Sequence, residues 1–381
     1  MIPYGKHSVD EQDIDAVVDV LRNQFLTQGA MVPKFEQALC EYTSCQYATA
    51  VNSATSGLHV ACLAAGVGQG DIVWTAPNSF VASANCALYC GADIDFVDID
   101  VVTRNIDIVA LTNKLTLAAQ SNSLPKALIV VHFSGLSCDM KVIHTLTQQY
   151  AIVLIEDAAH ALGGSYHQQK VGSCQYSEMS VLSFHPVKSI TSAEGGAVLT
   201  NSKSLDDKIK LFAKHGVTRD VEQMVSQSHG PWYYQQVELG YNYRLSDLHA
   251  ALGLSQLSKL DQFILRRTEL ALNYQKRLAD LPLRLPVFND FSNSAWHLYM
   301  VELTQHDRKM VYEQLHTKGV GVNVHYIPIH LHPYYQQLGF KQGDFPVAEN
   351  YYNNALTLPL YPGLSDEQQN TVIDVLHQVL L

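Results

Sequence analysis

The sequence predicts a doubly wound α/β fold with a large, mostly parallel sheet, followed by a small C-terminal α+β unit. Three observations predict it. Short β-branched runs alternate with amphipathic segments up to about His215, the pattern of parallel strands joined by helical crossovers. After Pro282 and Pro286 the order changes to strand, helix, strand, helix. Small polar and acidic residues cluster where the early strands end, which is where doubly wound sheets bind ligands.

Taken in order, Ser8-Val9-Asp10-Glu11 reads as a capping box opening a helix whose Ile14, Val17, Val18 and Leu21 share one face. A second helix starts near Pro33 with Phe35 and Leu39 inward. Strands are expected at Tyr47–Val51, Ile72–Thr75, Ile94–Val97, Ala127–His132, Ile152–Ile155, Met179–Ser183 and Ala197–Thr200. Helices are expected at about Thr55–Ala65, Val81–Tyr89, Lys141–Tyr150 and Leu205–His215. An aromatic stretch around Pro231–Tyr234 leads to two long helical patterns, Ser246–Leu260 and Gln262–Leu281. A strand at Trp296–Leu303, a helix at Asp307–Lys318, a strand at Val322–His325 and a last helix capped by Ser365 with Gln368 complete the chain. The domains expected are 1–250 and 251–381.

The 381 residues carry 36 Asp+Glu against 25 Lys+Arg, a net charge of −11, and no basic run, which argues against a nucleic-acid partner. Only 16% of residues are charged, against about 25% in ordinary soluble domains, which points to a surface that is partly covered. The 12 Phe, 20 Tyr and 3 Trp, with 47% apolar residues, exclude disorder. No apolar run is long enough for a membrane span, and the start MIPYGKHSVDEQD has no leader pattern, so a cytoplasmic protein is expected. Seven cysteines without a C-x-x-C pair read as reduced, mostly buried thiols.

Several motifs have bland readings. Gly66-Val-Gly68-Gln-Gly70 follows a helix and precedes a strand, the reverse of a dinucleotide fingerprint, and reads as a helix C-cap turn. His325, His330 and His332 form H-x4-H-x-H and could bind zinc, but no carboxylate or Cys stands at ligand spacing and prolines interrupt the run; no metal is expected. Cys86 and Cys90, at i,i+4, lack a second ligand pair.

Three segments carry chemistry. Asn52-Ser-Ala-Thr-Ser-Gly57 places hydroxyls and a free helix N-terminus at a strand end, a geometry that binds phosphate. Glu156-Asp157-Ala-Ala-His160 puts carboxylates at the end of an apolar strand. Between Glu178 and Glu194 the only fully charged side chain is Lys188, and desolvation among small and apolar neighbours lowers a lysine pKa and makes its amine nucleophilic. Pyridoxal 5′-phosphate needs all three: a cradle for its phosphate, a carboxylate to keep its ring nitrogen protonated, and a lysine for its aldehyde.

These residues resemble the DegT/DnrJ/EryC1/StrS sugar aminotransferases, of the aspartate-aminotransferase-like fold type I. The likeness runs through Phe25-Leu-Thr-Gln-Gly29, Asn52–Gly57, Thr75-Ala-Pro-Asn-Ser-Phe80, Glu156–His160, Ser183-Phe-His-Pro-Val-Lys188, Glu194-Gly-Gly196, Gly240-Tyr-Asn-Tyr-Arg-Leu245 and Val324-His-Tyr-Ile-Pro328. Within the family it looks most like the pseudaminic acid branch, through Val51–Ser56, Phe80-Val-Ala-Ser-Ala-Asn85 and Thr191–Ala197. That branch aminates C4 of a UDP-4-keto-6-deoxy-L-N-acetylaltrosamine sugar.

The resemblance implies a role for each matching position. Lys188 is the catalytic residue and holds the cofactor, Asp157 pairs with the ring nitrogen, and Ala54, Thr55 and Ser183 hold the phosphate, with Asn242 reaching in from a partner subunit. Phe80 stacks on the ring and His160, a Gln in many relatives, lies beside the ring hydroxyl. Tyr4, Gln24, Phe25, Leu26, Thr27, Asn242, His325, Tyr326, Ile327 and Pro328 meet the nucleotide-sugar. L-Glutamate, leaving as 2-oxoglutarate, is the implied amino donor and a homodimer the implied assembly. The rival readings are a C3 or C4 aminotransferase for another nucleotide-linked keto sugar, a sugar 3-dehydratase (which carries a histidine in place of Lys188), a non-catalytic sensor on this fold, and a metal hydrolase built on the three histidines.

Overall fold

The computed structural model describes residues 1–289 and 291–381. Seven apolar runs form the central sheet: β1 (Tyr47–Val51), β2 (Ile72–Thr75), β3 (Asp93–Phe96), β4 (Ala127–Val131), β5 (Val153–Asp157), β6 (Met179–Ser183) and β7 (Gly196–Thr200). Their order is β1-β7-β6-β5-β4-β2-β3. Strands β4, β6 and β7 are buried at every residue, as expected of strands covered on both faces.

All pairs among β2 to β6 are parallel, whereas β7 runs antiparallel to both β6 and β1. The expectation of helical crossovers throughout therefore fails at two places: residues 158–178, which join the parallel β5 and β6, hold no helix, and the connection after β6 does not cross over at all. Residues 184–195 contain no helix, so the chain turns back beside β6 instead of crossing over. Lys188 lies on that returning loop.

Helix α1 spans Glu11–Asn23, α2 Met31–Thr43, α3 Ala54–Ala64 and α4 Ala82–Tyr89. The cap of α1 is not Ser8 but Asp10, whose carboxylate accepts the Asp13 N–H while Asp13 accepts the Asp10 N–H. Its buried residues are Asp13 and Val20, not the apolar stripe; Ile14 is 45% and Leu21 57% exposed. Asp13 is fixed inside by Ser255, Gln256 and Lys259, which orients α1 by its polar face.

Helix α3 is apolar almost all round and accordingly sits inside, against β6 and β7. A Cβ on Gly57 would come within 2.9 Å of Val181 Cγ1, so the glycine sets how closely α3 approaches the sheet. The chain leaves α3 through Gly66 at φ 76°, the C-cap turn expected there. Helix α5 (Ile108–Gln120), started by an Asp107 cap on the Ala110 N–H, fills a stretch where the sequence suggested no element. Helices α6 (Met140–Gln149) and α7 (Lys203–Ala213) follow as expected.

Helix α8 (Asp247–Leu257) packs on α1 and α2, and α9 (Leu260–Arg277) carries the chain into a second core of Leu270, Tyr274, Tyr299, Val301, Leu356 and Ile373. That core covers an antiparallel sheet ordered β8 (Leu283–Arg284), β9 (Tyr299–Leu303), β10 (Ala355–Leu358). Helices α10 (Arg308–Thr317), α11 (Pro346–Asn354) and α12 (Asp366–Leu380) surround it, α12 opening with the Ser365–Gln368 capping box. The strand expected at 322–325 does not form: this segment reaches the free edge of β10 through one bridge, Asn323 to Thr357. The first residues cross over to this unit, with Ile2 bridging Val320 and Tyr4 O accepting the Leu360 N–H. No helix among the described residues is long and apolar enough to cross a membrane.

Candidate active site

The parallel strands β4, β5 and β6 end side by side at Val131, Asp157 and Ser183, and those residues form the floor of a cavity of about 360 Å³. Ser53, Ala54 and Thr55 at the start of α3, with Ser79 and Phe80 after β2, line one wall. His185, Val187, Lys188, Glu194 and Gly195 on the returning loop line another. Tyr4, His297, His325 and Tyr326 close it from the C-terminal unit.

Alternation along β5 separates its two carboxylates. Glu156 turns to the other face of the sheet, where it accepts from Ser177 (2.5 Å) and His132 (2.7 Å). Asp157 faces the cavity; its Oδ2 accepts the Ser83 hydroxyl at 2.6 Å and its Oδ1 the Ala159 N–H at 3.2 Å. Because Ser83 donates to Asp157, the Ser79 hydroxyl must donate to Ser83 (2.7 Å), and the chain of donors fixes the orientation of the carboxylate. A cationic N–H in the cavity is the natural partner for it.

Lys188 has no carboxylate within ion-pair distance among the described residues. Burial pushes its amine down to about 8, partly offset by the Asp157 charge. Burial, aided by Lys188, also holds His160 and His297 well below the usual histidine range and lowers His325 to about 4. Near neutral pH the imidazoles here are uncharged. The Ser134 N–H occupies Nδ1 of His160 at 3.3 Å, so Nε2 carries the proton and donates to Tyr326 Oη at 3.1 Å.

At the start of α3 the Ser53 side chain caps the Ser56 N–H and Ser53 O takes the Gly57 N–H. The Ala54 and Thr55 N–H groups have no protein acceptor among the described residues, which leaves them and the helix dipole to an anion. A Cβ on Gly196 would stand 2.6 Å from Ala54 N, so only glycine lets β7 pass beneath this cradle.

The structure thus brings together Tyr4, Ala54, Thr55, Phe80, Asp157, His160, Ser183, Lys188, His325 and Tyr326. It does not bring in the rest of the expected set. Gln24, Phe25, Leu26 and Thr27 lie at the end of α1, exposed apart from the half-buried Gln24, with Leu26 O accepting the Asp247 N–H. Asn242 is exposed between Tyr241 and Tyr243, which pack about His59; Ile327 and Pro328 flank the cavity without lining it. The three histidines of the zinc reading part company: His325 pairs with Thr357 and His330 with Glu349, and no metal-holding cluster occurs among the described residues. Sequence reading missed Ser79, Ser83, Ser134 and His297. The i,i+4 spacing of Ser79 and Ser83 was a usable signal; nothing local marked His297.

The sequence profile of the DegT/DnrJ/EryC1/StrS aminotransferase family matches residues 7–377. The chain is 39% identical to the UDP-4-amino-4,6-dideoxy-N-acetyl-beta-L-altrosamine transaminase of Campylobacter jejuni serotype O:2, over 100% of this chain and 98% of that one. It is 37% identical to the spore coat polysaccharide biosynthesis protein SpsC of Bacillus subtilis, over 100% and 97%. Among solved structures, Helicobacter pylori PseC, an aminotransferase involved in the biosynthesis of pseudaminic acid, matches with TM-score 0.90 and 33% identity over 100% and 99%. The PLP form of the putative sugar aminotransferase Spr1654 from Streptococcus pneumoniae matches with TM-score 0.90 and 27% identity over the whole of both chains. The unpaired N–H groups, the inward-facing Asp157 and the lowered Lys188 fit pyridoxal 5′-phosphate, the cofactor of these enzymes. With fold, cavity and full-length likeness in agreement, the chain belongs to the DegT/DnrJ/EryC1/StrS aminotransferase family and is a PLP-dependent sugar aminotransferase.

Proposed function

We propose that the protein moves the amino group of L-glutamate to C4 of a UDP-4-keto-6-deoxy-N-acetylhexosamine of the L-altro type, a step of pseudaminic acid biosynthesis. The observation that carries the substrate is the full-length 39% identity to the altrosamine transaminase, supported by the fold likeness to PseC. The cavity fits the reaction: Lys188 as base, the Asp157 carboxylate on the floor, an anion cradle and a wall of neutral donors and acceptors suited to a polyhydroxyl sugar.

Pyridoxal 5′-phosphate supplies an aldehyde for the amino group and an electron sink for the carbon that loses its proton. Each residue has a defined task around it. The Ala54 and Thr55 N–H groups and Ser183 would hold its phosphate, Asp157 would pair with its ring nitrogen, and Phe80 would stack on its ring. Lys188 would hold its aldehyde, and its amine would serve as the acid–base that moves a proton at the reacting carbon. An amine lowered to about 8 is suited to both directions, since a useful fraction is neutral near pH 7.5. His325 and Tyr326 present neutral polar groups to the sugar.

The active unit is a homodimer in which Asn242 and Gln24–Thr27 complete the partner's site. In support, both segments expose large apolar side chains: Phe25 (78%) just after α1, and Trp232 (72%) and Leu239 (76%) just before Asn242. The large and small units divide near residue 250. The test is a panel of 4-keto nucleotide-sugars offered with glutamate, following release of 2-oxoglutarate. The UDP-linked L-altro compound is expected to be used best; preference for a D-gluco or D-xylo isomer, or for a dTDP or GDP sugar, would reject the substrate assignment while leaving the aminotransferase intact.

A further inference from the structure

The hydrogen-bond capacity of His160 is already spent inside the protein. A neutral imidazole has one acceptor and one donor. The Ser134 N–H fills the acceptor Nδ1 at 3.3 Å, and Nε2 donates to Tyr326 Oη at 3.1 Å. Ser134 is held for this task at φ 59°, and Gly135 beside it cannot carry a side chain, since a Cβ would meet Trp296 N at 2.9 Å and the His160 carbonyl at 3.0 Å. His297 lies tilted against the ring with centroids 4.4 Å apart, and Phe133 and Tyr326 flank it. The imidazole is fixed in place and in tautomer.

The consequence falls on Tyr326. One lone pair of its oxygen accepts from His160, so its own O–H proton points elsewhere, and no protein acceptor for it occurs among the described residues. Tyr326 lines the cavity that holds Lys188 and Asp157, with its ring 6.3 Å from that of Phe80. We propose that His160 is a positioning residue: by donating to Tyr326 Oη it turns the Tyr326 O–H proton away from itself, and Tyr326 delivers that proton as a hydrogen bond to an oxygen acceptor bound in the cavity. Two sources offer such an oxygen, the ring oxygen of the cofactor and a carbonyl or hydroxyl oxygen of the keto sugar. The inference rests on the aminotransferase reading, and it differs from the direct contact of His160 with the ring hydroxyl that the family likeness implies.

A double-mutant cycle on the PLP-loaded enzyme tests it. Tyr326→Phe removes the donor, His160→Leu removes its orienter, and His160→Gln keeps an N–H donor at the position of Nε2. Three readouts apply: the pH titration of the visible cofactor band without sugar, the rate of amine transfer from glutamate, and KM against kcat for the keto sugar. Expected are a 10-fold or larger defect in Tyr326→Phe, a similar defect in His160→Leu, at least partial rescue by His160→Gln, and no further loss on adding His160→Leu to Tyr326→Phe. A shifted band titration places the acceptor on the cofactor; an unshifted band with raised KM places it on the sugar. Additive defects, or a silent Tyr326→Phe, would overturn the proposal. A wild-type enzyme that turns yellow but uses no keto sugar would instead sink the substrate reading, and the band titration would still score the cycle.

Discussion

The floor of the cavity and its outer rim are built on different principles. The floor is closed within one chain: Asp157, Ser183 and Val131 stand on neighbouring strands locked by the sheet, and Ser83, backed by Ser79, and the Ala159 N–H satisfy the Asp157 carboxylate. The rim is open. Gln24–Thr27 and Asn242 lie on mostly exposed chain segments that also expose large apolar side chains, and the cavity does not reach them. On the proposed reading the floor of one chain would supply most of the contacts to the cofactor, and a second copy would add Asn242 and complete the rim.

The largest expected effect belongs to the floor. Lys188→Ala should lower turnover by about 10²- to 10⁴-fold, the range for losing a positioned acid–base, with the protein still folded and dimeric by light scattering. A rate within a few-fold of wild type would break the assignment. Next comes the rim. Ile14→Asp with Leu21→Asp on α1 should dissociate the dimer, because each carboxylate would be buried unpaired at a cost of several kcal/mol. If the floor is self-sufficient, the monomer should still turn yellow with cofactor while failing to aminate sugar. A dimer of unchanged mass would remove α1 from the interface.

A subtler change tests how tightly the floor is packed. Gly196→Ala puts a Cβ 2.6 Å from Ala54 N, and strain of about 1–3 kcal/mol should appear as weaker cofactor binding in a fluorescence titration, with little change in fold. The smallest effect is electrostatic. Burial lowers Lys188 to about 8, so below that pH the folded apoprotein must hold an unfavourable charge. Relative to Lys188→Met, the wild-type apoprotein should gain thermal stability as pH rises from about 8 toward the ordinary lysine value of about 10.4, and the gap should be constant below 8. A gap independent of pH across that range would show that the amine is solvated.

The elements that could be read from sequence are those whose pattern is local. Strand β4 is a continuous apolar run, and α12 announces itself with Ser365 and Gln368. Misreadings came where a distant partner decides. The stripe Ile14–Leu21 has the spacing of a buried face, but Asp13 outbids it: its carboxylate meets Lys259, Ser255 and Gln256, and α1 turns that side inward. Residues 322–325 look like a strand, yet they reach the free edge of β10 through one bridge only. Glu156 and Asp157 are equivalent as letters, and only the pairing of β5 within the sheet tells which one faces the cofactor.

What the sequence determined by itself was chemistry at strand ends: a lysine alone among small residues, a carboxylate after an apolar strand, and a helix start with free N–H groups. Each depends on neighbours a few residues away, so the letters suffice. The tertiary structure decided what those groups meet. Ser83 reaches Asp157 across 74 residues and Tyr326 reaches His160 across 166. Such hydrogen bonds are made only after β4, β5 and the C-terminal unit pack, because burial removes water as the competing partner and leaves each polar atom to find one acceptor or donor in the protein.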